Sequence, residues 1–153
     1  MSIRPAHLED VEAIRSLVER AYGPWVPVIG RRPGPMDWDY EALVAEGDAH
    51  VWADPAVAGL LILRAEGGTL WVENVAVDPA RQGHGLGRTL LDFAEEQARR
   101  RGIDELRLYT HERMTANISL YSRLGWTEYE RRAEQGFARV FMRKQVSPGS
   151  EGR

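Results

Sequence analysis

The apolar residues of this chain recur with two periods. In Leu8–Ala21, Val11, Ile14, Leu17, Val18 and Ala21 fall at three- and four-residue steps, which predicts a helix with one apolar stripe. Glu9 and Asp10 in its first turn suit the helix dipole. The same spacing places Leu86, Leu90, Phe93, Ala94 and Gln97 on the inner side of a long helix, Gly85–Arg101, ended by Gly102. Shorter helices are predicted over Asp37–Ala45 and Thr115–Arg123. Short apolar or alternating runs predict strands at Ser2–Arg4, Ala49–Ala53, Val57–Arg64, Leu70–Val77, Glu105–Thr110, Trp126–Ala133 and Phe137–Lys144. Asp54-Pro55, Gly67-Gly68 and Glu134-Gln135-Gly136 supply turns between them. Tyr22–Pro35 holds four prolines and three glycines and reads as loop. The order is a mixed α/β layout with a strand-helix-strand unit at its centre.

Composition narrows the function. At 153 residues the chain can bury a substantial core, and one domain over 1–146 is expected, followed by a fraying tail, Ser147–Arg153. Its 20 Lys+Arg against 23 Asp+Glu leave a formal charge of −3, which gives no electrostatic case for nucleic acid or a membrane surface. There is no cysteine, hence no thiolate nucleophile, and His7, His50, His84 and His111 show no metal-ligand spacing. No stretch approaches the ~20 apolar residues of a membrane span. A cytoplasmic protein without a metal is expected.

The chemistry concentrates at Gln82-Gly83-His84-Gly85-Leu86-Gly87-Arg88, between the strand Leu70–Val77 and the long helix. Backbone N–H groups at a helix start lack intrahelical partners and face whatever anion sits there. Glycines let a ligand approach the backbone closely. A Walker loop requires Lys-Ser or Lys-Thr after its last glycine, whereas Arg88-Thr89 follows Gly87. A dinucleotide fingerprint reads G-x-G-x-x-G, whereas this turn reads G-x-G-x-G and lies mid-chain.

The turn instead reads Gln-x-x-Gly-x-Gly and resembles the GNAT N-acetyltransferase superfamily. Asn74-Val75-Ala76-Val77-Asp78-Pro79 is similar to that family's fourth strand and following turn. Asn117-Ile118-Ser119-Leu120-Tyr121-Ser122-Arg123-Leu124-Gly125-Trp126 is similar to its later Asn…Tyr…Gly-aromatic signature, with Trp126 where Phe or Tyr is common. Ile3-Arg4-Pro5-Ala6 resembles its opening strand, so the likeness covers roughly residues 2–144. It implies an α+β fold: a twisted, mostly antiparallel sheet of about seven strands, splayed in the middle and flanked by about four helices.

The resemblance implies acetyl-CoA as donor and a primary amine as acceptor, with direct transfer and no metal. It places the donor pyrophosphate on Gln82, Gly83, His84, Gly85, Leu86, Gly87 and Arg88, and the pantetheine arm along the backbone of Val75, Ala76 and Val77. Arg81, His84 and Arg88 either add charge near the phosphates or are solvated surface residues. Tyr121 is either the candidate general acid, since a phenol of pKa near 10 is matched to a thiol leaving group, or a core aromatic. Asn117, four residues earlier on the same helix face, resembles the family residue that contacts the donor arm or braces the helix start; the alternative is a helix cap. Glu73 shares a strand face with Trp71, Val75 and Val77; it is either the base that takes the amine's proton or part of a salt bridge. His111 and Glu112 are weaker candidates.

The acceptor is expected at Tyr22–Asp39, where Tyr22, Trp25, Arg31, Arg32, Met36 and Trp38 lie, with Tyr40 beside them. The alternative for these residues is packing on the core. Members that acetylate ribosomal-protein N-termini tend to carry glutamate on the fifth strand, where Tyr109 stands here, which argues against a protein N-terminal substrate; a small-molecule or amino-acid-like amine is expected. A homodimer through the closing hairpin is a further implication of the family. The competing function is a non-catalytic module that binds acyl-CoA.

Overall fold

The computed structural model describes residues 3–147; the expected fraying of the tail falls almost wholly outside them. Seven strands form one sheet: β1 (Ile3–Pro5), β2 (Ala49–Ala53), β3 (Val57–Glu66), β4 (Thr69–Val77), β5 (Glu105–His111), β6 (Thr127–Glu134) and β7 (Phe137–Gln145), ordered β1-β2-β3-β4-β5-β7-β6. Pairing is antiparallel for β1–β2, β2–β3, β5–β7 and β6–β7, and parallel for β4–β5. The α-helices are α1 (Val11–Tyr22), α2 (Val26–Ile29), α3 (Tyr40–Ala45), α4 (Leu86–Arg100) and α5 (Thr115–Arg123).

Two stretches differ from the sequence expectation. Tyr22–Pro35 is not an open loop: a 3-10 turn over Gly23–Trp25 runs into α2, which Gly30 ends in the left-handed conformation, and another 3-10 turn spans Gly34–Asp37. Prolines at the first helical positions lose no intrahelical bond, so turns this short tolerate them. Asp37 belongs to the second of these turns. The helix after it starts at Tyr40, where the Asp39 carboxylate accepts the Ala42 N–H at 3.1 Å.

Contacts within the chain cluster into two units. The first comprises the described residues of Met1–Leu63 and Asn74–Phe93. Its core joins Val11, Ile14, Leu17 and Val18 of α1 to Tyr40 and Val44 of α3, Val51 of β2, Leu60 and Ile62 of β3, and Ala76 of β4. Gly59 of β3 lets the start of α4 sit close: an added Cβ would lie 3.2 Å from the Leu90 side chain and 3.2 Å from Trp52 Cβ. The second unit comprises the described residues of Arg64–Glu73 and Ala94–Arg153. There, Leu106, Leu108 and Thr110 of β5 are buried and paired with Lys144, Met142 and Val140 of β7. The alternate residues Arg107 and Tyr109 pair with Arg143 and Phe141 on the other face.

Candidate active site

In the first unit, β4 delivers the chain to the glycine turn. Burial alternates along the strand, with Val72, Asn74 and Ala76 buried and Trp71, Glu73, Val75 and Val77 half-buried, so the expected face assignment holds. Among the described residues the ladder from β4 to β5 consists of Leu70↔Leu106 and Trp71↔Arg107, and Val75–Val77 lie beyond it. The turn that follows is braced. Asp78 Oδ1 accepts the Ala80 N–H at 3.0 Å and its Oδ2 meets Arg20 at 3.0 Å. The Ala80 N–H first, and Arg20 with it, hold this carboxyl below the usual range.

Gln82, Gly83, His84 and Gly85 are exposed, and Leu86, buried, opens α4. Gly83 and Gly85 have φ of +86° and +79°, and a Cβ on either would meet nothing within 4 Å. Space for a ligand is therefore open above the turn, while the backbone conformation itself calls for glycine. The Gly85 carbonyl accepts the Thr89 N–H at 3.0 Å, which leaves the first-turn N–H groups of Leu86, Gly87 and Arg88 without intrahelical acceptors. Arg81 lies over the Trp52 ring at 5.3 Å, and Arg88 is exposed with Asp92 4.0 Å away.

The second unit holds Glu73, Asn117 and Tyr121. Glu73, with 21% of its side chain exposed, accepts from Arg64 through Oε2: Nε lies at 3.0 Å and Nη2 at 2.9 Å. Arg64 also meets Glu66 at 2.6 Å and lies over Trp71 at 5.9 Å. Arg64 was not legible as a partner from sequence, because their link depends on β3 and β4 lying side by side. Tyr109 stands on β5 as expected, with Arg139 stacked 4.3 Å from its ring and bound to Glu134 at 2.7 Å. Burial raises the Tyr109 phenol above its ordinary value. Tyr121 is 7% exposed, packs against Trp126 with ring centres 6.1 Å apart, and is pushed by burial up to about 12. Asn117 is half-buried in the first turn of α5, and its N–H donates to the Met114 carbonyl at 3.0 Å. His111 accepts the Arg113 N–H on Nδ1 at 3.1 Å, and burial lowers its pKa.

The segment Tyr22–Asp39 is more structural than its composition suggested. Arg32 is held by Glu19 at 2.9 Å and Asp37 at 3.0 Å, so it is engaged as an ion pair and not poised as a clamp. Met36 and Tyr40 are buried in the core, and Tyr22 and Trp38 pack against it. Asn74, the first residue of the Asn74–Pro79 motif, is buried and bonded to both Tyr22 and Tyr40. A signal for it existed: an amide between Val72 and Ala76 on the buried face of a strand requires partners.

The family model described as the acetyltransferase (GNAT) family matches residues 11–126. The chain belongs to the acetyltransferase (GNAT) family. Among GNAT relatives, the mycothiol acetyltransferase of Thermomonospora curvata is 35% identical over 122 residues, which cover 69% of this chain and 40% of that protein. A Streptosporangium roseum protein of the same name is 46% identical over 56 residues, 37% of this chain and 17% of its own length. The chain thus spans well under half the length of these curated relatives. Among solved GNAT folds, the PaiA N-acetyltransferase of Thermoplasma acidophilum in complex with coenzyme A superposes with a TM-score of 0.78 at 19% identity, covering 94% of this chain and 97% of that one. YncA of Salmonella typhimurium, solved with its cofactor acetyl-CoA, gives 0.71 at 25% identity, covering 98% and 96%. The glycine turn, Glu73, Asn117 and Tyr121 all fall inside the matched GNAT span.

Proposed function

We propose that this chain is an acetyl-CoA-dependent N-acetyltransferase for a small-molecule primary amine, working by direct transfer. The observation that carries the reading is the run from Val75–Val77, beyond the β5 ladder, into the positive-φ glycine turn and the start of α4. Free strand backbone can pair with an extended amide-bearing arm, and the helix start can hold its pyrophosphate. A backbone N–H of Val75 or Ala76 then polarises the thioester carbonyl. Glu73, oriented by Arg64 through Oε2, takes the ammonium proton on Oε1. The neutral amine attacks the carbonyl carbon, a C–N bond forms, and the C–S bond breaks.

Tyr121 then meets the departing thiolate. With its phenol near 12 it stays protonated through the working range and donates a hydrogen bond to sulfur. A thiolate with a reference pKa of ~8.5 does not strip that proton outright; it takes the second proton, which the nitrogen sheds as the amide forms, and the proton held on Glu73 passes to the medium. The name carried by the curated relatives supports a small-molecule acceptor.

Calorimetric titration with CoA, followed by thiol release across a panel of primary amines, tests the proposal. Tight CoA binding with one amine raising turnover well above hydrolysis is expected. If CoA binds and no amine accelerates thiol release, the chain is instead a non-catalytic acyl-CoA-binding module.

A further inference from the structure

One rung of the sheet in the second unit sets two arginines side by side. Trp71 of β4 pairs with Arg107 of β5, and Arg107 pairs directly with Arg143 of β7. All three lie on the face that carries Glu73 and Tyr109, because alternate residues of a strand share a side. Like charges directly opposed across a ladder are destabilising. Glu105 offsets one of them, meeting Arg107 at 3.2 Å. Arg143 is exposed and has no carboxylate partner among the described residues. Tyr129, skipped by the β6–β7 register at a bulge, presents its ring to both guanidinium groups, 4.9 Å from Arg107 and 5.4 Å from Arg143. A ring attracts cations but carries no net charge to cancel them. Arg107 Nε is buried without a hydrogen-bond partner.

Other arginines of this face are already neutralised. Arg64 is held by Glu66 and Glu73, Arg132 by Glu130 and Glu134, and Arg139 by Glu134. The rung therefore keeps one uncompensated positive charge, which a single carboxylate balances, and the guanidinium fork matches carboxylate geometry. Its place on the sheet gives the second dimension. Glu73 stands two residues beyond Trp71 on β4, so strand rise and spacing put its backbone roughly 8 Å from that of Arg107 and roughly 12 Å from that of Arg143. Trp71 and Tyr109 flank the diagonal from Glu73 to Arg107, and both rings pack on Phe141, at 6.4 Å and 5.6 Å. They offer an apolar floor for a short carbon chain.

We propose that Arg107 and Arg143 form a carboxylate subsite of the acceptor pocket, so that the substrate is a primary amine bearing a carboxylate at the far end of a short carbon chain. This rests on the reading of Glu73 as the base that receives the amine. The bound carboxylate accepts from both guanidinium groups and turns a repulsive rung into an Arg–carboxylate–Arg bridge.

Thiol release with ε-aminocaproate and with hexylamine tests it, since the two amines have equal numbers of carbons and differ by the carboxylate. A second readout needs no turnover: the nitrogen-edited NMR signal of Arg107 Nε–H, assigned with Arg107→Lys, is followed as each amine is added. In the wild type kcat/KM favours ε-aminocaproate about tenfold, the scale of one charge-assisted hydrogen bond. The Arg107 signal shifts saturably with ε-aminocaproate and not with hexylamine. Arg143→Gln brings the preference close to one through KM, and its melting temperature holds or rises because a like charge has left the rung. A preference that survives Arg143→Gln overturns the subsite, whether or not the melting temperature falls. Equal use of the two amines with no saturable shift overturns it too, while leaving amine acetylation standing. A saturable shift with neither amine acetylated leaves a carboxylate site and overturns its placement beside the acceptor nitrogen.

Discussion

At the scale of single residues, burial decides what Tyr121 can do. Its phenol, near 12, remains neutral at any pH an assay would use. Tyr121→Phe is expected to lower kcat about a hundredfold while CoA affinity changes little, measured by stopped assay and calorimetry. Kinetics unchanged by the substitution would remove Tyr121 from the reaction. Asp10 offers a stability test. Its carboxyl accepts from Arg4 at 2.8 Å and 3.0 Å and from the His7 N–H at 2.8 Å, and Arg4 above all holds its pKa down. The folded value is depressed, so the pair stabilises fully above the unfolded value of ~3.9 and loses that contribution as pH falls through the folded value. Asp10→Asn should therefore lower the melting temperature at pH 7 and converge with the wild type in acid, as followed by circular dichroism. The motif around Tyr121 was legible in the sequence from its neighbours in the chain, whereas its burial against Trp126 was not. The Arg64 partner of Glu73 was not, because the two stand nine positions apart across strand and turn and only the sheet aligns them.

Elements add constraints that no single side chain carries. The α4 stripe was readable from periodicity, and Leu86, Leu90 and Ala94 are indeed buried. The tight approach of α4 to β3 was not readable, because it depends on a missing side chain at Gly59. Gly59→Ala should cost about 1–3 kcal/mol by overpacking, seen as a lowered denaturant midpoint. Gly85→Ala acts differently, because space is open there and only φ of +79° objects. About 1–2 kcal/mol of left-handed strain is expected, with CoA binding weakened about tenfold in calorimetry. If alanine at 85 leaves affinity intact, the turn is not the pyrophosphate site. Tyr22–Pro35 forms short turns where a loop is expected for a physical reason: prolines and glycines that break long helices are well suited to single helical turns.

For the molecule as a whole, the family was legible from motifs spread over the chain, and its seven-stranded sheet followed. The division into two units was not legible, since β3, β4 and α4 each read as uninterrupted elements while their residues fall in both. Ligand linkage gives the global test. CoA at a hundred times its Kd should stabilise the fold by about 2.7 kcal/mol. For a domain of this size that is roughly 5–10 °C in Tm by differential scanning fluorimetry. A flat response over that range would contradict donor binding anywhere on the chain.

The alternation of β4 carries a consequence for redesign. Asn74 and Ala76 are anchored in the interior, whereas Trp71 and Glu73 project from the opposite side of the same ribbon. Core packing and the proposed base thus occupy separate columns of one strand. A library randomised at Trp71 and Glu73 should stay folded and lose turnover wherever the carboxylate at 73 is lost, while one randomised at Val72 and Ala76 should be dominated by unfolded chains. Inserting one residue ahead of them would exchange the two columns and bury a carboxylate where the amide belongs.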